Sequence, residues 1–115
     1  MFMDLVRVEG LDEAKKLLED VGVSPEAVGI LSKKMVHRIV KVKDLDFRAI
    51  NILKQDMLSI GGDVACSKAA ASFVEEKSDV LIMGTLRQFE LLVEKLKQQP
   101  FGLKDVGERL VEVLF

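Results

Sequence analysis

Asp79-Val80-Leu81-Ile82-Met83-Gly84-Thr85-Leu86-Arg87-Gln88 is the stretch whose reading decides the fold class. Val80 to Met83 is a continuous apolar run bounded by Asp79 and Gly84, the pattern of a strand buried on both faces, and it predicts the centre of a sheet. Thr85 with Gln88 three residues later makes a capping box, in which each side chain satisfies a backbone N–H of the other's turn. The strand therefore passes straight into a helix, along which Phe89, Leu92, Val93 and Leu96 recur at helical spacing. A buried strand feeding an amphipathic helix is the unit of an α/β fold.

The segments on either side extend the same alternation. Asp44 or Asp46 can cap a helix whose Phe47, Ile50, Leu53, Met57 and Ile60 form an apolar stripe, and Gly61-Gly62 ends it. A short strand is expected at Asp63–Ser67, while Ala69–Phe73 reads equally as a helical turn or a loop. Upstream, Val36–Lys43 reads as a half-exposed strand with His37, Ile39, Lys41 and Lys43 on one face. Ser24-Pro25-Glu26 is a helix start, and Val28, Leu31 and Met35 form the buried side that follows. Asp12 to Gly22 repeats apolar residues at Ala14, Leu17, Leu18 and Val21, and Phe2–Val8 alternates as a strand does. Beyond Pro100 and Gly102, Leu103, Val106, Leu110 and Leu114 define a last helix. The expectation is one α/β domain over residues 1–115. It would have about four strands and five helices in the order β-α-α-β-α-β-β-α-α, with a mixed sheet in a two-layer or sandwich arrangement.

Composition narrows the functional classes. At 115 residues, 49% hydrophobic and 31% charged, the chain suits a single folded unit. No apolar run approaches the roughly 20 residues of a membrane span, so a soluble, cytoplasmic protein is expected. A net charge of −2 argues against nucleic-acid binding over a basic face. With one cysteine, Cys66, and one histidine, His37, the chain has too few soft ligands for a structural zinc site and no route to an internal disulfide. No cofactor, metal or catalytic residue is predicted.

Two surfaces carry chemistry worth locating. At Gly84, Thr85 and Arg87, free N–H groups at a helix start, a hydroxyl and a guanidinium can hold a phosphate or carboxylate; cap chemistry and a solvated arginine explain the same residues. Lys41 and Lys43, within a Lys33–Lys43 segment that has no acidic residue, add an anion-attracting strand or a plain solvated edge. Arg48, Asn51 and Gln55 share one polar side of a helix, a docking face or a solvent face. Cys66 reads as a buried small residue in a strand, and His37 as structural or exposed.

Three runs resemble a known family when taken together. They are Arg48-Ala49-Ile50-Asn51-Ile52-Leu53-Lys54-Gln55-Asp56-Met57-Leu58-Ser59-Ile60-Gly61-Gly62-Asp63-Val64-Ala65, the Asp79–Gln88 stretch, and Gln99-Pro100-Phe101-Gly102-Leu103-Lys104. In this order, and with Val36–Val42 before them, they are similar to the N-terminal extension preceding the catalytic barrel of some bacterial and archaeal dihydropteroate synthases, from about Gly22 onward. That family joins a hydroxymethyl dihydropterin pyrophosphate to p-aminobenzoate on the way to folate. Its barrel needs about 200 residues or more, and its Asn-x-Thr-Pro-Asp-Ser-Phe pterin motif is absent, so the resemblance implies an accessory domain with no catalytic residue. It further implies, as partners, the synthase barrel or a second copy, docked through Arg48, Asn51 and Gln55. The alternative is a free-standing binder of pterin or pyrophosphate, with Gly84, Thr85, Arg87, Lys41 and Lys43 as the anion-binding set.

Overall fold

The computed structural model describes residues 1–115. Helices α1 (Leu11–Val21) and α2 (Pro25–Met35) form a hairpin, followed by β1 (His37–Asp46), α3 (Phe47–Ile60), β2 (Asp63–Ala65), α4 (Lys68–Ala71), β3 (Lys77–Thr85), α5 (Leu86–Leu96) and α6 (Leu103–Leu114). The α/β class follows directly, but the order is α-α-β-α-β-α-β-α-α. Phe2–Val8, read as a strand from its alternation, is extended chain in no sheet. The ambiguous Ala69–Phe73 region contains the end of the short helix α4 and then a turn.

The sheet has three strands in the order β1-β3-β2, and both neighbours of β3 run antiparallel to it. This corrects the expected four-stranded mixed sheet. The right connection is present, since α3 carries the chain from β1 to a parallel β2. The two strands are not adjacent, however, because β3 inserts between them, as in a split β-α-β unit. The register sets Ile39 against Met83, Val40 against Ile82, and Val64 also against Ile82. A bulge between Val42 and Leu45 places Asp44 at φ 52°, in the left-handed region.

Helices α3, α5 and α6 cover one face of the sheet. Val64, Val80 and Ile82 point into them, alongside Ile50, Leu53, Met57, Phe89, Leu92, Leu96, Leu103 and Leu110. The stripes read on α3 and α5 are this core, and burial of each such side chain is worth about 1.5–3 kcal/mol. A smaller cluster of Ala14, Val36 and Leu86 ties the α1–α2 hairpin to the body, reinforced by the Leu86 N–H donating to the Val36 carbonyl at 2.9 Å. Val21, expected on the buried side of α1, is exposed.

The other face of the sheet is bare. Ile39 is 62% and Leu81 41% exposed there, so Val80–Met83 is the central strand but is not buried on both faces. Cys66 is half-buried just beyond the end of β2 rather than inside a strand.

Candidate functional site

The most distinctive surface is built where α3 begins. Asp46 caps the helix by accepting from the Arg48 N–H at 2.8 Å, and its carboxylate is gripped in fork fashion by Arg48 Nε and Nη2 at 3.1 and 2.9 Å. The side-chain and backbone bonds from Arg48 hold the Asp46 carboxyl down at about 2. So fixed, the guanidinium lies over the Phe101 ring, 4.3 Å from its centroid, and 5.9 Å from that of Phe47. Phe47 meets Phe73 edge to face at 5.3 Å. Phe73 and Phe101 are both exposed, and both hold a φ of 60° that a side chain rarely adopts. Exposed aromatics around a fixed arginine are the residue types that anchor protein–protein contacts.

Of the expected docking residues, Arg48 belongs to this cluster. Asn51 is occupied within the fold, its Nδ2 donating to the Phe47 carbonyl at 2.8 Å and to the Ala70 carbonyl at 3.4 Å, which ties α4 onto α3. Gln55 is exposed one turn further along. Phe47 adjoins Arg48 in the chain, but Phe73 and Phe101 come from segments distant in sequence, and no pattern within α3 reveals them. Their signal was the presence of Arg48 and Phe101 within two of the three runs quoted above.

The anion-binding candidates do not form one site. Gly84 is buried, and a Cβ there would lie 2.6 Å from Met57 Cε and 2.8 Å from Gln88 Oε1. Thr85 is engaged in the capping box, its N–H donating to Gln88 Oε1 at 2.8 Å and its hydroxyl accepting from the Gln88 N–H at 3.1 Å. Arg87 lies on a groove of about 440 Å³ with Lys15, Lys33, Glu26 and Glu90. The Glu90 carboxylate is met by Lys33 Nζ at 2.7 Å and by Arg87 Nη1 at 3.4 Å. Burial pushes the Glu90 carboxyl up, but these two cations outweigh it and lower it overall. Lys41 and Lys43 stand elsewhere, beside α6. His37 is exposed. No three His, Cys, Asp or Glu side chains converge to hold a metal ion.

The three runs converge mainly for packing. Gln99 Nε2 donates to Asp56 at 3.0 Å, Arg48 covers Phe101, and Met57 fills the space beside Gly62 and Gly84. No helix is long and apolar enough to cross a membrane.

Fold and topology together define a small α/β domain. Comparison with known proteins places it more narrowly: nearly the whole chain is homologous to a segment of dihydropteroate synthase proteins. It is 39% identical over 107 residues to a probable bifunctional folylpolyglutamate synthase/dihydropteroate synthase of Halobacterium salinarum, covering 93% of this chain and 13% of that protein. It is 31% identical over 99 residues to a bifunctional dihydropteroate synthase/dihydropteroate reductase of Helicobacter pylori, covering 86% of this chain and 26% of the relative. A probable bifunctional folylpolyglutamate synthase/dihydropteroate synthase of Haloferax volcanii is 32% identical over 105 residues, or 90% of this chain and 12% of its own length. The chain thus spans between about an eighth and a quarter of the relatives it matches. A match of 107 residues reaches further upstream than Gly22, where the resemblance was expected to begin. No family model and no solved structure matches the chain.

Proposed function

We propose that this domain is a non-catalytic accessory or assembly module of dihydropteroate synthase in folate biosynthesis, docking through the face formed by Phe73, Phe47, Arg48 and Phe101. The observation that carries the reading is the near-complete match of this chain to a minor segment of proteins named for that synthase. The exposed Arg48–Phe101 stack supplies the anchor that such docking needs. Co-elution of the domain with a dihydropteroate synthase catalytic barrel from the same host tests it. Arg48→Glu and Phe101→Asp should each abolish co-elution, and Lys16→Glu on the exposed side of α1 should leave it intact. Co-elution that survives the first two substitutions overturns the face, and its absence from the unaltered protein overturns the role.

A second reading is a free-standing binder of pterin or pyrophosphate. The groove holding Lys15, Lys33 and Arg87 favours it, although Glu26 and Glu90 offset much of the positive charge. Amide NMR signals of these three residues should move on titration with pyrophosphate, and a spectrum unchanged at saturating concentration removes this reading.

A further inference from the structure

We propose that Phe2–Val8 of a second copy of this chain adds to the sheet as a fourth strand along the free edge of β1, the two copies exchanging these arms reciprocally. The position beside β1 is vacant. With the order β1-β3-β2, β1 has one side unpaired, whereas the opposite edge is the three-residue β2. An open edge of this length is a template for another strand. Helix α6 packs on α5 and extends the helix layer beyond β1. Between β1 and α6 lies a groove of about 340 Å³, its floor formed by Val40, Val42, Val106, Leu110 and Val113. Val113 is 69% exposed there. In a β-α-β-β-α-β arrangement the position outside β1 is held by the last strand; in this chain α6 follows α5 instead, and the position is open.

Residues 1–9 make no backbone hydrogen bond within the chain; the base of the arm is anchored by Val8, which packs on the Ala14–Val36–Leu86 cluster, and the residues before it are exposed. Phe2 is 99% and Leu5 89% exposed, although the segment alternates as strands do. Seven residues span roughly 23 Å as a strand, which matches the stretch of β1 before its bulge. The rim of the groove carries Lys41, Lys43 and Arg109, while the arm is mainly apolar, with Asp4 and Arg7 as its charged residues and Glu9 at its root. Exchange buries an arm and a groove on each copy, two contacts contributing to the about 800 Å² per partner of a standard interface. A reciprocal two-fold contact closes on itself, and such exchange of an identical element is a low-cost route to a dimer.

Sedimentation of the full chain tests this without any synthase present, so its outcome is independent of the docking role. A dimer is expected, with Leu5→Asp and Val113→Asp each weakening it at least tenfold while circular dichroism stays unchanged. Mixing these two variants should restore association, because one intact arm then meets one intact groove. Amide exchange of residues 3–8 in the unaltered dimer supplies a readout that needs no substitution, and protection there should vanish on dilution to monomer. A monomer at all concentrations, a dimer indifferent to both substitutions, or a dimer whose arm exchanges freely overturns the proposal.

Discussion

The Met57 methyl group occupies the space that a side chain on Gly84 would need: a Cβ built on Gly84 falls 2.6 Å from Met57 Cε. The end of α3 and the end of β3 therefore meet through the Met57 side chain, which must shift before a side chain fits at Gly84. Gly84→Ala should destabilise the domain by about 1–3 kcal/mol through overpacking. Met57→Ala alone should cost about 2–5 kcal/mol as a cavity. In the double variant the two costs should fall well short of their sum, since the new methyl enters the space vacated. Urea denaturation of the three variants decides this, and simple additivity would show that the contact is not shared.

The capping box at Thr85 and Gln88 is the hinge between β3 and α5. Thr85→Ala should cost about 1 kcal/mol, because the Gln88 N–H loses its acceptor. Gln88→Ala should act similarly through the Thr85 N–H. Equilibrium unfolding measures both, and a change within experimental error for either would mean that water replaces the lost acceptor.

Asp46 carries a pH dependence whose sign is fixed. Its carboxyl is held at about 2 by Arg48, below the unfolded value of about 3.9. Its contribution to stability is therefore complete above about pH 4 and is lost as the pH falls towards 2. Carboxyl carbon NMR should place the Asp46 titration near the lower figure, and Arg48→Ala should return it to the ordinary carboxylate range. An unmoved titration in that variant would assign the shift to another cause.

At the β1 bulge, Asp44 has a left-handed backbone, and its N–H donates to Asp79 Oδ1 at 3.1 Å. Asp44→Gly keeps the donor and relaxes the backbone, so stability should change by no more than about 0.5 kcal/mol. Asp44→Val forces a β-branched side chain into that conformation and should cost about 1–2 kcal/mol. Equal thermal midpoints for the two variants would argue that the bulge straightens.

What was legible in the sequence was what is encoded locally. The Thr85–Gln88 box and the Phe89, Leu92, Val93, Leu96 stripe lie within a few residues of one another, and each is found as read. Phe2–Val8 alternates correctly, yet alternation describes side chains and cannot supply the neighbouring strand that makes a sheet. Leu81 was misplaced for a related reason, since an apolar run marks a central strand whether or not a second helix layer covers its far side. In the candidate site, Asp46 and Arg48 are near neighbours in the chain and the cap was read there. Phe101 reaches Arg48, and Phe73 reaches Phe47, only through the tertiary fold. Their left-handed backbones carry no residue signature, because the sequence places phenylalanine where glycine or asparagine would have announced a turn.

Strand β3 sits in the middle of the sheet although it is the last of the three strands along the chain. Neither β1 nor β2 has a hydrogen-bonding neighbour until residues 77–85 have emerged during synthesis, so the sheet nucleates late and from non-local contacts. A nascent chain ending before Lys77 displays Val40, Val42 and Val64 with nothing to pair against, the kind of transient apolar surface on which folding intermediates aggregate.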